Sequence, residues 1–272
     1  GRTCYITNTI KNCLALKLIV SSLFGKTEKW SSHYANVLQE KRIEIGLFQP
    51  LRIGVSGGRE WSTHPVYFFM MPNVSLKKTR NVWWEFDVSS RHSISYPTPL
   101  LNMLARQGTG GIISPEFTFP AAVIIYNELL FTWEEQKPYN ITFKLGVSLG
   151  LAAENISKGS TIDLPLAYHR FAPLYNGYGL RTGIDFTGKV TEKIHYLLDA
   201  DIQILPGMEG SFAVEHKGMI SWNKNDYFRI SLGYKLVHGE YPFGTDTHIL
   251  PYLPMAETWV PFMDFQWAWD RK

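Results

Sequence analysis

An all-β fold, a closed antiparallel transmembrane β-barrel of about 10–12 strands, is what this sequence predicts. Three observations carry that reading. Apolar and polar residues alternate in pieces about as long as a tilted membrane-crossing strand, roughly 9–11 residues. The polar positions mix Gly and Ser with charges of both signs, and Trp and Tyr gather near the ends of the pieces. The clearest piece is 228–237, where Phe228, Ile230, Leu232, Tyr234 and Leu236 alternate with Arg229, Ser231, Gly233 and Lys235. Successive strand side chains point to opposite faces, so one face is greasy and the other charged.

Taken in order, strands are expected at 42–56, 65–76 and 81–92. In the third, Val82, Trp84, Phe86 and Val88 oppose Glu85, Asp87, Ser89 and Arg91. Segment 112–133 is long enough for one strand or two, and its stretch 121–126 is apolar on both faces. In 141–152, Ile141, Phe143, Leu145, Val147, Leu149 and Leu151 face away from Thr142, Lys144, Gly146 and Ser148. Segments 178–190, 193–204 and 212–222 repeat the pattern, with His216 interrupting the apolar row of the last. The final strand, 259–269, sets Trp259, Met263, Phe265, Trp267 and Trp269 against Asp264 and Gln266. Asn176-Gly177, Pro206-Gly207, 155–159 and 223–226 mark turns. Two connections are long, 93–111 and 238–257, the first with a short helical turn at 100–106.

Composition agrees. A chain of 272 residues, 45% hydrophobic and 14% aromatic, suits one long all-β domain. The net charge of +3 is too small, and the basic residues too dispersed, to argue for nucleic acid, and no nucleic-acid partner is expected. Mean hydropathy is −0.12, and no apolar run reaches the length of a spanning helix. Barrels escape that criterion, since only every second residue of their strands is apolar. Residues 1–25 read either as a signal peptide or as a short amphipathic N-terminal helix: Lys11 and Lys17 flank apolar residues, and small residues follow. A lead-in, 26–41, precedes the barrel at 42–272. Cys4 and Cys13 fit neither a disulfide framework nor a metal site.

The alternation assigns a charge network to the lumen: Lys144, Arg181, Asp185, Lys189, Asp199, Asp201, Glu215, Lys217, Arg229 and Lys235. Pairing among them follows from the cost of an isolated buried charge. The same pattern assigns Trp83, Trp133, Tyr178, Trp222, Trp259 and Trp269 to membrane interfaces, which favour amphipathic rings.

In these features the chain resembles bacterial outer-membrane β-barrels over roughly 42–269. Segments 42–51, 89–94 and 108–116 are similar to a loosely defined group of barrel proteins from Bacteroidota-like bacteria. The run Asp270-Arg271-Lys272 after Trp269 departs from the terminal aromatic common in such barrels. The resemblance implies a location, the bacterial outer membrane, and a fold, but no catalytic residues. It also implies membrane lipid and lipopolysaccharide as surroundings, barrel-assembly machinery during biogenesis, and a monomer or a member of an envelope complex.

The expected function is therefore non-catalytic: a restricted, charge-lined pore or an envelope-assembly scaffold, without a cofactor. One alternative is a barrel-embedded lipid hydrolase, because some small outer-membrane barrels use a serine, a histidine and an acidic or amide partner on adjacent strands. The run Ser89-Ser90-Arg91-His92-Ser93 carries it, with His92 and Ser93 as the candidate pair and Glu85, Asp87 or Glu116 as the third group. The sequence motifs of those hydrolases are not matched. The other alternative is a soluble lipocalin-like carrier. His64, His169, His216, His238 and His248 lack metal-ligand spacing, and Gly108-Thr109-Gly110-Gly111 lacks a phosphate-binding context.

Overall fold

The chain divides into two compact units, Gly1–Trp30 and Ser31–Lys272. In the computed structural model the described residues are 30, 32–108, 113–133, 139–157, 160, 170–206, 212–239 and 259–271. The expected signal peptide or helix with Cys4 and Cys13, the residues Thr109 to Gly111, His169, His248 and most of the connection 238–257 lie outside them. So do the side chains of His238 and Trp259.

Twelve strands are described: β1 (Arg42–Gly46), β2 (Leu51–Val55), β3 (Arg59–Thr63), β4 (Asn73–Thr79), β5 (Phe86–Ser95) and β6 (Ala122–Trp133), then β7 (Tyr139–Ala152), β8 (Tyr178–Lys189), β9 (Ile194–Ile204), β10 (Phe212–Asn225), β11 (Phe228–Gly239) and β12 (Trp259–Asp270). Each pairs antiparallel with the next, and β12 returns to β1 in the register Arg42↔Asp270 to Gly46↔Gln266. The sheet is a closed antiparallel barrel. One rim, the turn end, carries short connections such as 56–58, 80–85 and 190–193; the other, the loop end, carries the long ones.

Four sequence expectations shift. Segment 42–56 is two strands, because the backbone folds back at 47–50, where Gly46 N–H donates to the Gln49 carbonyl and Pro50 offers no donor. The strand expected at 65–76 starts only at Asn73; Pro65–Phe68 is a helical turn, with the proline in its first positions. The strand expected at 81–92 starts at Phe86, since Trp84 has a positive φ of 56° and turns the chain. β3 was not expected at all, although Gly57 and Gly58, at φ 75° and 62°, form the tight turn that creates it. Segment 112–133 resolves to the one strand β6.

Parity then sorts the side chains. Outward residues such as Leu145, Leu151, Leu198, Ile220, Leu232 and Met263 are exposed apolar groups. Inward residues such as Thr132, Thr142, Asp185, Ser231 and Gln266 are buried and polar. At the loop end the interior turns apolar: Met71, Leu100, Leu101, Ile113, Phe119, Ala122, Ile124, Phe171 and Leu174 form one core. That explains the stretch 121–126. Its inward residues meet the cap built by the helical turn Thr98–Leu104 and the residues around Phe171, and its outward residues belong to the apolar exterior.

Aromatics ring the turn end. Trp83 meets Phe131 at 6.0 Å, Phe86 meets Phe143 at 6.1 Å, and Phe228 meets Trp267 at 5.8 Å. Trp133, Trp222 and Trp269 stand near the same rim; Tyr178 starts β8 at the loop end, where Trp259 also starts its strand. Leu198→Arg, a charge on the exterior in mid-strand, should weaken folding into lipid vesicles by ~2–4 kcal/mol in a denaturant titration, well beyond Leu198→Ala. Equal losses for the two variants would contradict an apolar surround.

Candidate functional site

The interior is filled in three layers. Beneath the apolar cap lies a charge cluster centred on Lys144. Its Nζ is 2.6 Å from Asp185, 2.9 Å from Asp199 and 2.8 Å from Asp201. Arg181 reaches Asp201 at 2.5 Å and Glu128 at 3.3 Å, and Arg91 meets Glu128 at 2.9 Å. Lys217 adds 3.2 Å to Asp199; Lys235 and Arg170 hold Glu215 at 2.7 and 2.5 Å. Space for this comes from glycine: a Cβ on Gly183 would stand 1.9 Å from an Asp201 oxygen.

A second group, on the short strands, joins Arg52 to Glu44 and Glu60, both at 2.8 Å, and Arg42 to Glu44 at 2.9 Å. Arg229 donates to Gln266 and Gln49. These charges are held by several partners each, which offsets the large desolvation cost of burying them.

The third layer is the lead-in itself. Residues 34–39 lie inside the barrel: Lys77 Nζ donates to the carbonyls of Tyr34 (2.6 Å) and Asn36 (2.8 Å), while Glu60 accepts from Leu38 N–H at 2.8 Å. Ala35 N–H donates to Thr132 Oγ1 at 2.7 Å, and a Cβ on Gly54 would stand 1.9 Å from the Gln39 carbonyl oxygen. Backbone groups that water would otherwise satisfy are thus satisfied by lumenal side chains.

Of the charges assigned to the lumen, the structure brings together Lys144, Arg181, Asp185, Asp199, Asp201, Glu215, Lys217 and Lys235; Arg229 lies with the glutamines. Lys189, at the end of β8, is exposed and takes no part in these pairs. Sequence reasoning missed Glu44, Arg52, Glu60, Lys77 and Glu128, although Glu128 keeps the inward parity of Tyr126 and Thr132. Among the described residues, no three His, Cys, Asp or Glu side chains converge as a metal-ion site.

Among the described residues the exterior carries several polar side chains, among them Thr182 and the pair His216 and Tyr234, 3.0 Å apart, and one cluster on β5 and β6. Ser93 does not partner His92, because neighbouring residues face opposite ways: Ser93 Oγ points inward and donates to Ser75 Oγ at 2.8 Å. Asp87 shares the inward parity of Ser93, and Glu85 and Glu116 sit in connections. His92 points outward together with Ser90, two residues earlier, and with Asn127, its cross-strand neighbour on β6. His92 Nδ1 lies 2.7 Å from Asn127 Oδ1, and His92 Nε2 lies 3.1 Å from Ser90 Oγ. An amide oxygen only accepts, so Nδ1 carries the proton and Nε2 is free to accept from the serine hydroxyl. Beside the trio is a groove of about 540 Å³ lined by Leu129, Leu145, Val147, Leu180 and Ile204. The signal was present in the alternation: Ser90 and His92 fall on the row of Val88 and Ile94, and Asn127 on that of Ile125 and Leu129.

The architecture defines a class: a closed twelve-stranded barrel of the transmembrane type, polar within and apolar without. No protein-family model matches the chain, and no curated protein does. Among solved structures it is similar to OmpT (in-vitro folded), an outer membrane protein of Vibrio cholerae, with 8% sequence identity and a TM-score of 0.41. The match covers 83% of this chain and 64% of that one, so this chain spans less than two thirds of that protein's length.

Two variants test the interior. Lys144→Met leaves Asp185, Asp199 and Asp201 without their shared cation and should cost on the order of 3–5 kcal/mol of folding stability. Adding Asp199→Asn and Asp201→Asn should restore part of it. A Lys144→Met protein as stable as the parent would mean that the cluster is not held by pairing.

Proposed function

We propose that this protein is an outer-membrane barrel with a filled interior and a hydrolytic site on its lipid-facing wall, cleaving the acyl esters of membrane lipids. The observation that carries the reading is His92 held between Ser90 Oγ and Asn127 Oδ1 on the apolar exterior. Polar side chains facing lipid are costly and mark function. Apolar residues at these three positions would avoid that cost, and the hydrogen bonds run in the order that a nucleophile, a base and an orienting group require.

The chemistry follows from the geometry. Ser90 Oγ attacks the ester carbonyl carbon while its proton passes to His92 Nε2. The carbon–oxygen bond to the lipid alcohol breaks, and His92 returns the proton to the leaving oxygen. Water then attacks the acyl-serine, giving its proton to His92; the fatty acid leaves and Ser90 recovers its hydrogen. Asn127 keeps the imidazole in the tautomer that accepts at Nε2. The groove beside the trio, about 540 Å³, falls in the ~300–1,000 Å³ range of ligand pockets and offers an acyl chain an apolar wall.

The location rests on the exterior: leucines, isoleucines and aromatics stand exposed around the sheet, beyond what a water-facing surface carries. That belt argues against a soluble carrier. The lumen, packed by Lys144, Arg52 and the lead-in, argues against a pore of any width. It favours, as the second reading, a rigid scaffold in an envelope assembly, with membrane lipid and lipopolysaccharide around it and barrel-assembly machinery inserting it.

Fatty-acid release from phospholipid–detergent micelles distinguishes the readings. Ser90→Ala and His92→Ala should each lower the rate by roughly 10³-fold or more, and Asn127→Ala by less. Heat-modifiable gel migration checks that the variants fold. Wild-type release by folded Ser90→Ala would leave the scaffold reading in place.

A further inference from the structure

Ser90 is almost inaccessible, with 2% of its surface exposed, because a second group lies on its hydroxyl. Arg80, the residue after β4, continues the ladder by donating its N–H to the Val88 carbonyl at 2.7 Å. Its side chain runs along the exterior, and Nε donates to Ser90 Oγ at 2.8 Å. Among the described residues Arg80 has no carboxylate partner, and its terminal nitrogens are unengaged. Lys78 stands opposite Ser90 in the register, exposed and likewise without an ion pair among the described residues. Arg59, opposite Lys78, extends the row and bonds only the Ser56 carbonyl. Among the described residues the cations Lys144, Arg181 and Arg52 are each paired with two or more carboxylates inside. These three lie outside without an ion pair among the described residues, and Arg80 is the one in contact with the hydroxyl that the proposed reaction needs.

An arginine donating to the nucleophile opposes catalysis in two ways. It occupies the lone pair that must attack, and it bars the approach of an ester. The same guanidinium, with two free nitrogens in a planar fork, matches phosphate oxygens. Building on the hydrolase reading, we propose that Arg80 is the phosphate-recognition element of the site and holds Ser90 in check until a phosphate-bearing lipid headgroup draws the guanidinium away. Lys78 adds a second charge to that headgroup. The substrate class is therefore a glycerophospholipid, not a neutral glyceride: the headgroup opens the site that its own acyl ester then enters. Arg80 is a positioning residue, not part of the proton relay.

The test uses the full chain in mixed micelles with two substrates of equal acyl length, a phosphatidylglycerol and a diacylglycerol. Arg80→Ala should lower kcat/KM for the phospholipid by about 10–100-fold, the scale of a lost charge-assisted pair. It should also raise diacylglycerol turnover, because Ser90 is uncovered. Arg80→Lys should recover part of the phospholipid activity, since it keeps the charge without the fork. A merely structural role would move both substrates in one direction. Equal losses on the two lipids, with Ser90→Ala inactive, would overturn the phosphate role alone and make Arg80 a donor to the oxyanion. Hydrolysis of both lipids that survives Ser90→Ala would overturn the hydrolase reading beneath it. Inorganic phosphate should leave diacylglycerol turnover unchanged. Its stimulation of the parent but not of Arg80→Ala would assign the trigger to the free ion, against the headgroup.

Discussion

Closure of the sheet through β1 and β12 removes the last strand edge, and a bilayer admits a sheet on no other terms, since each unpaired backbone N–H or C=O costs several kcal/mol there. Once the ring is closed, alternation stops being a local habit. Every residue either meets the surround or meets the interior, and a shift of one residue would exchange the two. Leu198 and Asp199 are neighbours in the chain and stand in opposite environments for this reason.

The interior then has to be compensated within a narrow ring. Lys144 does so for three aspartates at once, and Arg52 does it for two glutamates on the short strands. Glycines at Gly183 and Gly54 supply the volume, one for a carboxylate and one for the backbone of the lead-in. The loop-end core and the lead-in occupy further parts of the interior.

Much of this was legible in alternation. The long strands β7 to β12 and the charged side of each follow from period two, and so do most members of the Lys144 cluster. The short strands β1 to β4 were blurred, because five to seven residues give too few alternations to set bounds against Pro50, Pro65 and the Gly57-Gly58 turn. The use of residues 34–39 as filling was not legible at all: nothing in their pattern says that Lys77 and Glu60 will bond their backbone. At the exterior site the run 89–93 points to His92, but Ser93, the serine expected to pair with it, has the opposite parity. Reading parity strictly excludes Ser93 and admits Ser90, and only cross-strand register supplies Asn127.

The packed interior and the polar cluster on β5 and β6 bear on each other. In the proposed hydrolase the packed interior is a stiff support for three side chains that must keep their geometry facing lipid. The most direct measurement is reaction of the protein in phospholipid–detergent micelles, whose headgroups engage Arg80, with a fluorophosphonate probe, which modifies serines activated by a neighbouring base, followed by peptide mapping. The account predicts a single adduct on Ser90 that disappears in His92→Ala. An adduct on another serine, or labelling of Ser90 that persists without His92, would contradict it.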